Sequence, residues 1–235
     1  MIPKVIHYCW FGRNPLPASA QKCLESWRRF FPDYEIKEWN EDNFDVNIIP
    51  YTQQAYEAKK YAFVSDYARF WILYHYGGLY FDTDVEVIKS FEDIVERGAF
   101  MGLEIDGTKI GTKIAIAPGL GLGAEVGMPV YQEILNGFAK LDYYDAQGKR
   151  NNFSMIPMVT ELFLQRGLIA NRQIQQLYGI TIYPQRFFNP YNSVNGKLQV
   201  VPETHSIHWY SATWMEPKRL WLFKIKRMIR KLLNV

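Results

Sequence analysis

Hydrophobic and polar positions along this 235-residue chain follow two periods. Residues 3–11 (Pro-Lys-Val-Ile-His-Tyr-Cys-Trp-Phe) are mostly apolar and read as a buried first strand, broken by Gly12-Arg13-Asn14-Pro15. Residues 18–30 carry a helical period. Residues 34–39 alternate apolar with polar side chains, as a half-buried strand does. This strand–helix–strand opening suits a nucleotide-binding α/β sheet. The longest helical pattern, 53–76, stops at Gly77-Gly78, where a glycine can take the left-handed conformation that closes a helix. Strands are expected over 79–87, 99–104, 112–117, 180–183 and 198–201, and helices over 128–141 and 157–166. The glycine-rich segment 118–124 reads as a loop. No repeat or linker divides the chain, so one domain over residues 1–216 and a tail over 217–235 are expected.

Composition narrows the class. With 48% apolar and 22% charged residues, disordered and collagen-like chains are excluded. No run of uncharged apolar residues is long enough to predict a membrane-spanning helix. The net charge of +3 hides an asymmetry: Lys218, Arg219, Lys224, Lys226, Arg227, Arg230 and Lys231 crowd the tail, and the rest is mildly acidic. That argues against nucleic acid as a partner and for a local attachment to something anionic. Trp221, Ile225, Met228, Ile229 and Leu232 share one helical face opposite the basic side chains, the pattern of a helix lying in a membrane interface. A tail helix docked on the domain is the plainer alternative. Cys9 and Cys23 match no zinc spacing and are too few for a disulfide framework, which suits a reduced compartment. Ala18-Ser19-Ala20 looks like a signal cleavage site, but the residues before it form no clean apolar region. The expected location is cytoplasmic, peripheral to the inner face of the membrane.

The sharpest chemical feature is Asp82-Thr83-Asp84. In an extended strand its two carboxylates point to one side, where they repel unless a hard cation such as Mn²⁺ or Mg²⁺ lies between them. Two solvated acids at a strand end are the bland alternative. Upstream, Asp66 and Arg69 stand three apart in Ser65-Asp66-Tyr67-Ala68-Arg69 and share a helical face. Alone, such a pair is most often a surface ion pair worth a few tenths of a kcal/mol, roughly.

Together, Ala62–Arg69 and Tyr76–Asp84 resemble the signature of the DXD-containing sugar transferases, family 32 of the glycosyltransferase classification, related to the glucosylating domains of large clostridial toxins. Ile6-His7-Tyr8-Cys9-Trp10-Phe11-Gly12 is similar to the family's first strand. His208-Trp209-Tyr210-Ser211-Ala212-Thr213-Trp214 resembles its closing element, with Thr213 where the family has Ser. The resemblance implies an α/β GT-A fold (a Rossmann-like nucleotide-diphospho-sugar transferase), here followed by an amphipathic basic helix. It implies metal-dependent, retaining transfer of a hexose from a nucleotide-diphosphate sugar. UDP-linked donors are favoured, with guanosine-linked mannose as the other option. The acceptor would be a glycan or lipid-linked glycan in surface polysaccharide synthesis.

By position, Trp10 would stack on the base, and Ser65, Asp66, Arg69 and Tyr80 would contact the donor. Asp82 would meet the ribose or the metal, Asp84 and His208 would ligate Mn²⁺ or Mg²⁺, and Thr213 and Trp214 would close over the donor phosphate. Asp82, Asp84 and Arg69 would carry the catalysis. His205 competes for the role of His208, whereas His7 and His75 read as packing. Two rivals are weaker. A haloacid-dehalogenase-like phosphatase also begins with a strand and D-x-D, but needs a later acidic pair. Only Glu161, Glu203 and Glu216, far apart, follow Asp145. A non-catalytic sugar-binding or membrane-associated module would use the aromatics alone.

Overall fold

A computed structural model describes residues 1–211. In chain order its elements are β1 (Val5–Cys9), α1 (Ala18–Phe30), β2 (Glu35–Trp39), α2 (Pro50–Glu57), α3 (Tyr61–Tyr76), β3 (Gly78–Tyr80), β4 (Val85–Val87), α4 (Glu92–Val95), β5 (Phe100–Ile105) and β6 (Ala115–Ile116). A 3₁₀ turn (Pro118–Leu120) leads into β7 (Leu122–Ala124), α5 (Pro129–Phe138), α6 (Met155–Leu164), β8 (Gln175–Leu177), β9 (Ile180–Tyr183), α7 (Gln185–Phe188) and β10 (Ser206–His208).

The main sheet runs β2-β1-β3-β7-β5-β9-β8, with β6 added to β5. It is mixed: β1 lies parallel to β2 and β3, and β5 parallel to β9, while β7 runs antiparallel to both β3 and β5. Two buried clusters flank it. One joins α2, α3, α5 and α6 to the sheet through residues such as Tyr51, Phe70, Tyr131, Phe138 and Phe163. The other packs α1 and the aromatics Phe81, Phe91, Phe100 and Phe188 on the opposite face. Helices covering both faces of a mixed sheet give the expected α/β architecture.

Several boundaries differ from the sequence expectation. The pattern over 53–76 is two helices, because Lys59 takes φ = 57° and the chain turns there before α3. Hydrophobic periodicity is blind to a left-handed residue that is neither Gly nor Asn. The stretch 79–87 is two short strands, because Val85 N–H closes a turn onto the Asp82 carbonyl at 3.0 Å. The glycine-rich loop contains β7, a central strand. Its Gly123 lies so close to the ring of Phe100 that a Cβ would collide, so glycine here permits close aromatic packing and does not break the strand. No strand forms at 198–201. Only an isolated Tyr191–Leu198 bridge appears, and Asn192 Oδ1 instead accepts the Val194 and Asn195 amides of a turn. Thr213, Trp214 and the tail at 217–235 lie outside the described residues.

Candidate active site

One cavity of about 970 Å³ opens beside the β3–β4 turn. It is lined by Trp10, Ser65, Asp66, Arg69, Tyr80, Asp82, Asp84 and His208, so every described site residue named from the sequence faces it. Helix α3 supplies the first group. Arg69 is buried. Its Nε donates to the Ser65 carbonyl at 3.1 Å and its Nη2 to Asp66 Oδ1 at 3.0 Å, and Nη2 lies 3.3 Å from Asp82 Oδ1. The guanidinium rests over the Tyr80 ring at 5.0 Å, and the Tyr80 hydroxyl donates to Asp82 Oδ1 at 3.1 Å. Asp66 and Arg69 are thus part of a bridge to the DXD turn, not a surface ion pair. Gly119 completes it. A Cβ there would collide with Asp82 Oδ2, so the 3₁₀ turn passes this carboxylate only as glycine.

The second group is assembled by pairing β10 with β4, which sets His208 opposite Val85. His208 Nε2 then lies 2.9 Å from Asp84 Oδ1, while the Ser211 amide donates to Asp84 Oδ2 at 2.7 Å and the Trp209 amide to the Asp84 carbonyl at 3.0 Å. The two carboxylates converge through the turn, not along an extended strand as the tripeptide suggested.

Their environments push them apart. Burial raises Asp82, offset by Arg69 and reinforced by the charge of Asp84, and the net shift is upward. Burial acts on Asp84 too, but His208 and the Ser211 amide outweigh it and hold Asp84 below the usual carboxylate range. Burial works against the charged form of His208, yet Asp84, Asp82 and Glu104 hold it above the ordinary imidazole value. Burial raises Asp66 to about 6 against the pull of Arg69.

Asp82, Asp84 and His208 offer ligand atoms that all lie within 4.8 Å of one another. Two carboxylate oxygens and an imidazole suit a divalent ion of intermediate hardness such as Mn²⁺. Two like charges share the site beside His208 Nε2, and that arrangement fits a cation. His205 does not compete: it is buried away from this cluster, bonded to the Glu203 carbonyl and to Asp93 Oδ1. His7 is a packed histidine, as expected. Trp39 Nε1–H donates to its Nδ1, which leaves Nε2–H to donate to the Gly77 carbonyl, both at 3.0 Å. His75 is exposed against Trp71. Trp10 sits at the cavity wall, its indole N–H tied to the Asn14 carbonyl at 2.6 Å.

Sequence reasoning missed Gly119, Glu104, Tyr210 and the Ser211 amide. Gly119 lies within a glycine run whose pattern predicts only a loop. Glu104 carries a usable signal, since it is the one acid within a buried apolar strand, near the end where α/β folds place sites.

Residues 17–101 match the family model described as "Glycosyltransferase sugar-binding region containing DXD motif". The resemblance to the DXD-containing sugar transferases therefore holds for this region, which includes the Asp66–Arg69 bridge and the DXD turn. The chain is 29% identical over 111 residues to inositol phosphoceramide mannosyltransferase 1 of Schizosaccharomyces pombe, covering 43% of this chain and 33% of that protein. It is 32% identical over 106 residues to an uncharacterized glycosyltransferase, L373, of Acanthamoeba polyphaga mimivirus, covering 43% and 42%. The chain thus spans well under half the length of these relatives. Among solved structures, a glycosyltransferase involved in glycosylation of the major capsid of PBCV-1 superposes with a TM-score of 0.51 at 11% identity, over 94% of this chain and all of that one. That likeness concerns the fold, and it agrees with the expected GT-A architecture.

Proposed function

We propose that the protein is a metal-dependent glycosyltransferase that moves a sugar from a nucleotide-diphosphate donor to a glycan or lipid-linked acceptor. The observation that carries this reading is the convergence of Asp82, Asp84 and His208 beside the buried Arg69 in one cavity. Asp84 and His208 would hold Mn²⁺ or Mg²⁺, with Asp82 sharing the charge. When bound, such an ion offsets the negative charge that grows on a departing diphosphate. Arg69, held in place by two carboxylates, supplies fixed donors to the same region. Asp66 and Ser65 would contact donor hydroxyls, Trp10 would stack on the base, and Tyr80 would orient Asp82. Thr213 and Trp214 would close over the phosphates.

Retention of the anomeric configuration, a UDP-linked donor and a role in surface polysaccharide synthesis belong to the same proposal and rest on the family resemblance. The names of the mannosyltransferase relatives make guanosine-linked mannose the second donor to try. Placement at the cytoplasmic face of a membrane rests on the basic tail at 217–235. No helix among the described residues is long and apolar enough to cross a membrane. Sedimentation with anionic vesicles, lost on truncation after Pro217, would support that placement. The phosphatase rival gains nothing, because the third donor beside the DXD turn is His208 and not a later acid pair. The decisive experiment incubates the protein with Mn²⁺ and a panel of UDP- and GDP-sugars and measures free nucleotide. Metal-dependent release from one donor supports the reading, and release from none refutes it.

A further inference from the structure

One carboxylate in the cavity has no part in the donor and metal roles above. Glu104 stands near the end of β5, on the strand face opposite buried Leu103 and level with Gly102, which is pressed against Phe188. Its carbonyl accepts the amide of buried Asn189 at 3.1 Å, which fixes the strand end. Its Oε1 accepts the Tyr210 hydroxyl at 3.0 Å. Tyr210 is itself held in an unusual position: φ is 48°, and its ring lies 4.1 Å from that of His208. A left-handed tyrosine is strained, and such strain concentrates at functional sites. Here it turns the phenol from the His208 side of the cavity towards Glu104. Among the described residues Glu104 makes no salt bridge, its charge acting on His208 only from a distance, and Oε2 has no hydrogen-bond partner, yet the side chain lines the cavity. An acid that is positioned at one oxygen and left open at the other is arranged to accept a proton or a hydrogen bond from something that enters.

We propose that Glu104 is the acceptor-side catalytic residue, and that Tyr210 positions it. This rests on the transferase reading above. The acceptor hydroxyl donates to Oε2. In the transfer step its oxygen forms the bond to the anomeric carbon of the donor. The bond from that carbon to the diphosphate breaks, its electron pair leaving on the nucleoside diphosphate, and the hydroxyl proton passes to Glu104.

Water can stand in for the acceptor, so the test needs no acceptor identity. Nucleotide release from the active donor in Mn²⁺ is compared for the wild type, E104Q, E104D and Y210F. E104Q is expected to lower kcat by about 100-fold or more, the usual range for a general base, with donor KM within about twofold. Y210F should lower kcat by a smaller factor, and E104D should restore part of the E104Q loss. Calorimetric affinity for the nucleoside diphosphate with Mn²⁺ should be the same in all four. A kcat for E104Q close to the wild type overturns the proposal, as does a loss matched by equal weakening of nucleotide affinity. If E104Q fails to fold, the Y210F and E104D comparisons decide by the same criteria. A wild-type chain that releases nucleotide from no donor overturns the transferase reading itself, whereas competent wild type and competent E104Q overturn Glu104 alone.

Discussion

The two halves of the candidate centre meet at one turn but are built differently. On the Arg69 side, the contacts come from one helix and the strand after it. Arg69 is 4% exposed and tied to Ser65, Asp66 and Asp82 at once. On the His208 side, a two-stranded pairing of β4 with β10 brings distant residues together, and two carboxylates converge beside one imidazole nitrogen. The first half holds a fixed cation inside the protein. The second carries acids and an imidazole that ask for one from outside. Charge that is already balanced contributes to stability, while charge left for a ligand contributes to binding. The two halves should therefore fail in different ways.

The largest expected effect is on turnover. Asp84→Ala removes the carboxylate that contacts His208 and the Ser211 amide. Nucleotide release should fall by at least about 10³-fold, because a ligand that positions a charge-stabilising ion can be worth several kcal/mol. Far-UV circular dichroism should remain native, and full activity of this variant in chelator-treated buffer would remove the metal assignment.

Next in size is a contrast in stability. Arg69→Ala strips the counter-charge from Asp66 and Asp82. Losing one partner of a buried pair typically costs about 3–5 kcal/mol. His208→Ala also removes a partner, but Asp84 keeps the Ser211 amide and is more open to water than Arg69, so the cost should be smaller, about 1 kcal/mol. Urea midpoints read both, and equal losses would dissolve the distinction between the halves.

A third change probes their junction. Gly119→Ala places a methyl against Asp82 Oδ2 and must displace that carboxylate. Metal affinity should weaken by about 10- to 100-fold, as for other changes to groups that orient a ligand. Titration of free Mn²⁺ by electron paramagnetic resonance measures it, and an unchanged affinity would place Asp82 outside the metal's reach.

The last effect is read as a slope with pH and concerns the support beneath the centre. Burial holds the His7 imidazole neutral, with its pKa lowered to about 4, partly countered by its bond to Gly77. A lowered histidine means that the unfolded chain binds the proton first as pH falls. His7 therefore contributes stability above the unfolded value near 6.5, and that contribution is lost as pH drops towards 4, by up to about 1.4 kcal/mol per pH unit. His7→Gln should flatten the slope of unfolding free energy between pH 6.5 and 4. An identical slope in the variant would show that His7 does not titrate there.

The same contrast explains what was legible from the sequence. The Arg69 half lies within residues 62–84, so local spacing exposed it even though the helix break at Lys59 and the turn after Asp82 were invisible. His208 was found only through the family's closing element, because no local pattern states that β10 will pair with β4. Glu104 and Gly119 were passed over for a related reason. A carboxylate at a strand end and a glycine in a run gain meaning only from the neighbour each meets, Tyr210 and Asp82. The fold class was readable because sheet and helix periods are local. The central place of β7 was not, because its glycines answer to aromatic rings on other strands.

The Ser211 amide that caps Asp84 lies 127 positions further along the chain. On the ribosome, the carboxylate turn is therefore made long before the segment that completes it. A nascent chain that has passed Asp84 but not reached Ser206 contains the residues of the Arg69 cluster and lacks those that finish the cation site. A message with a premature stop between Tyr183 and Ser206 encodes every strand of the main sheet and no β10. Translation thus supplies the third ligand of the proposed cation site, His208, only near the end of the described residues.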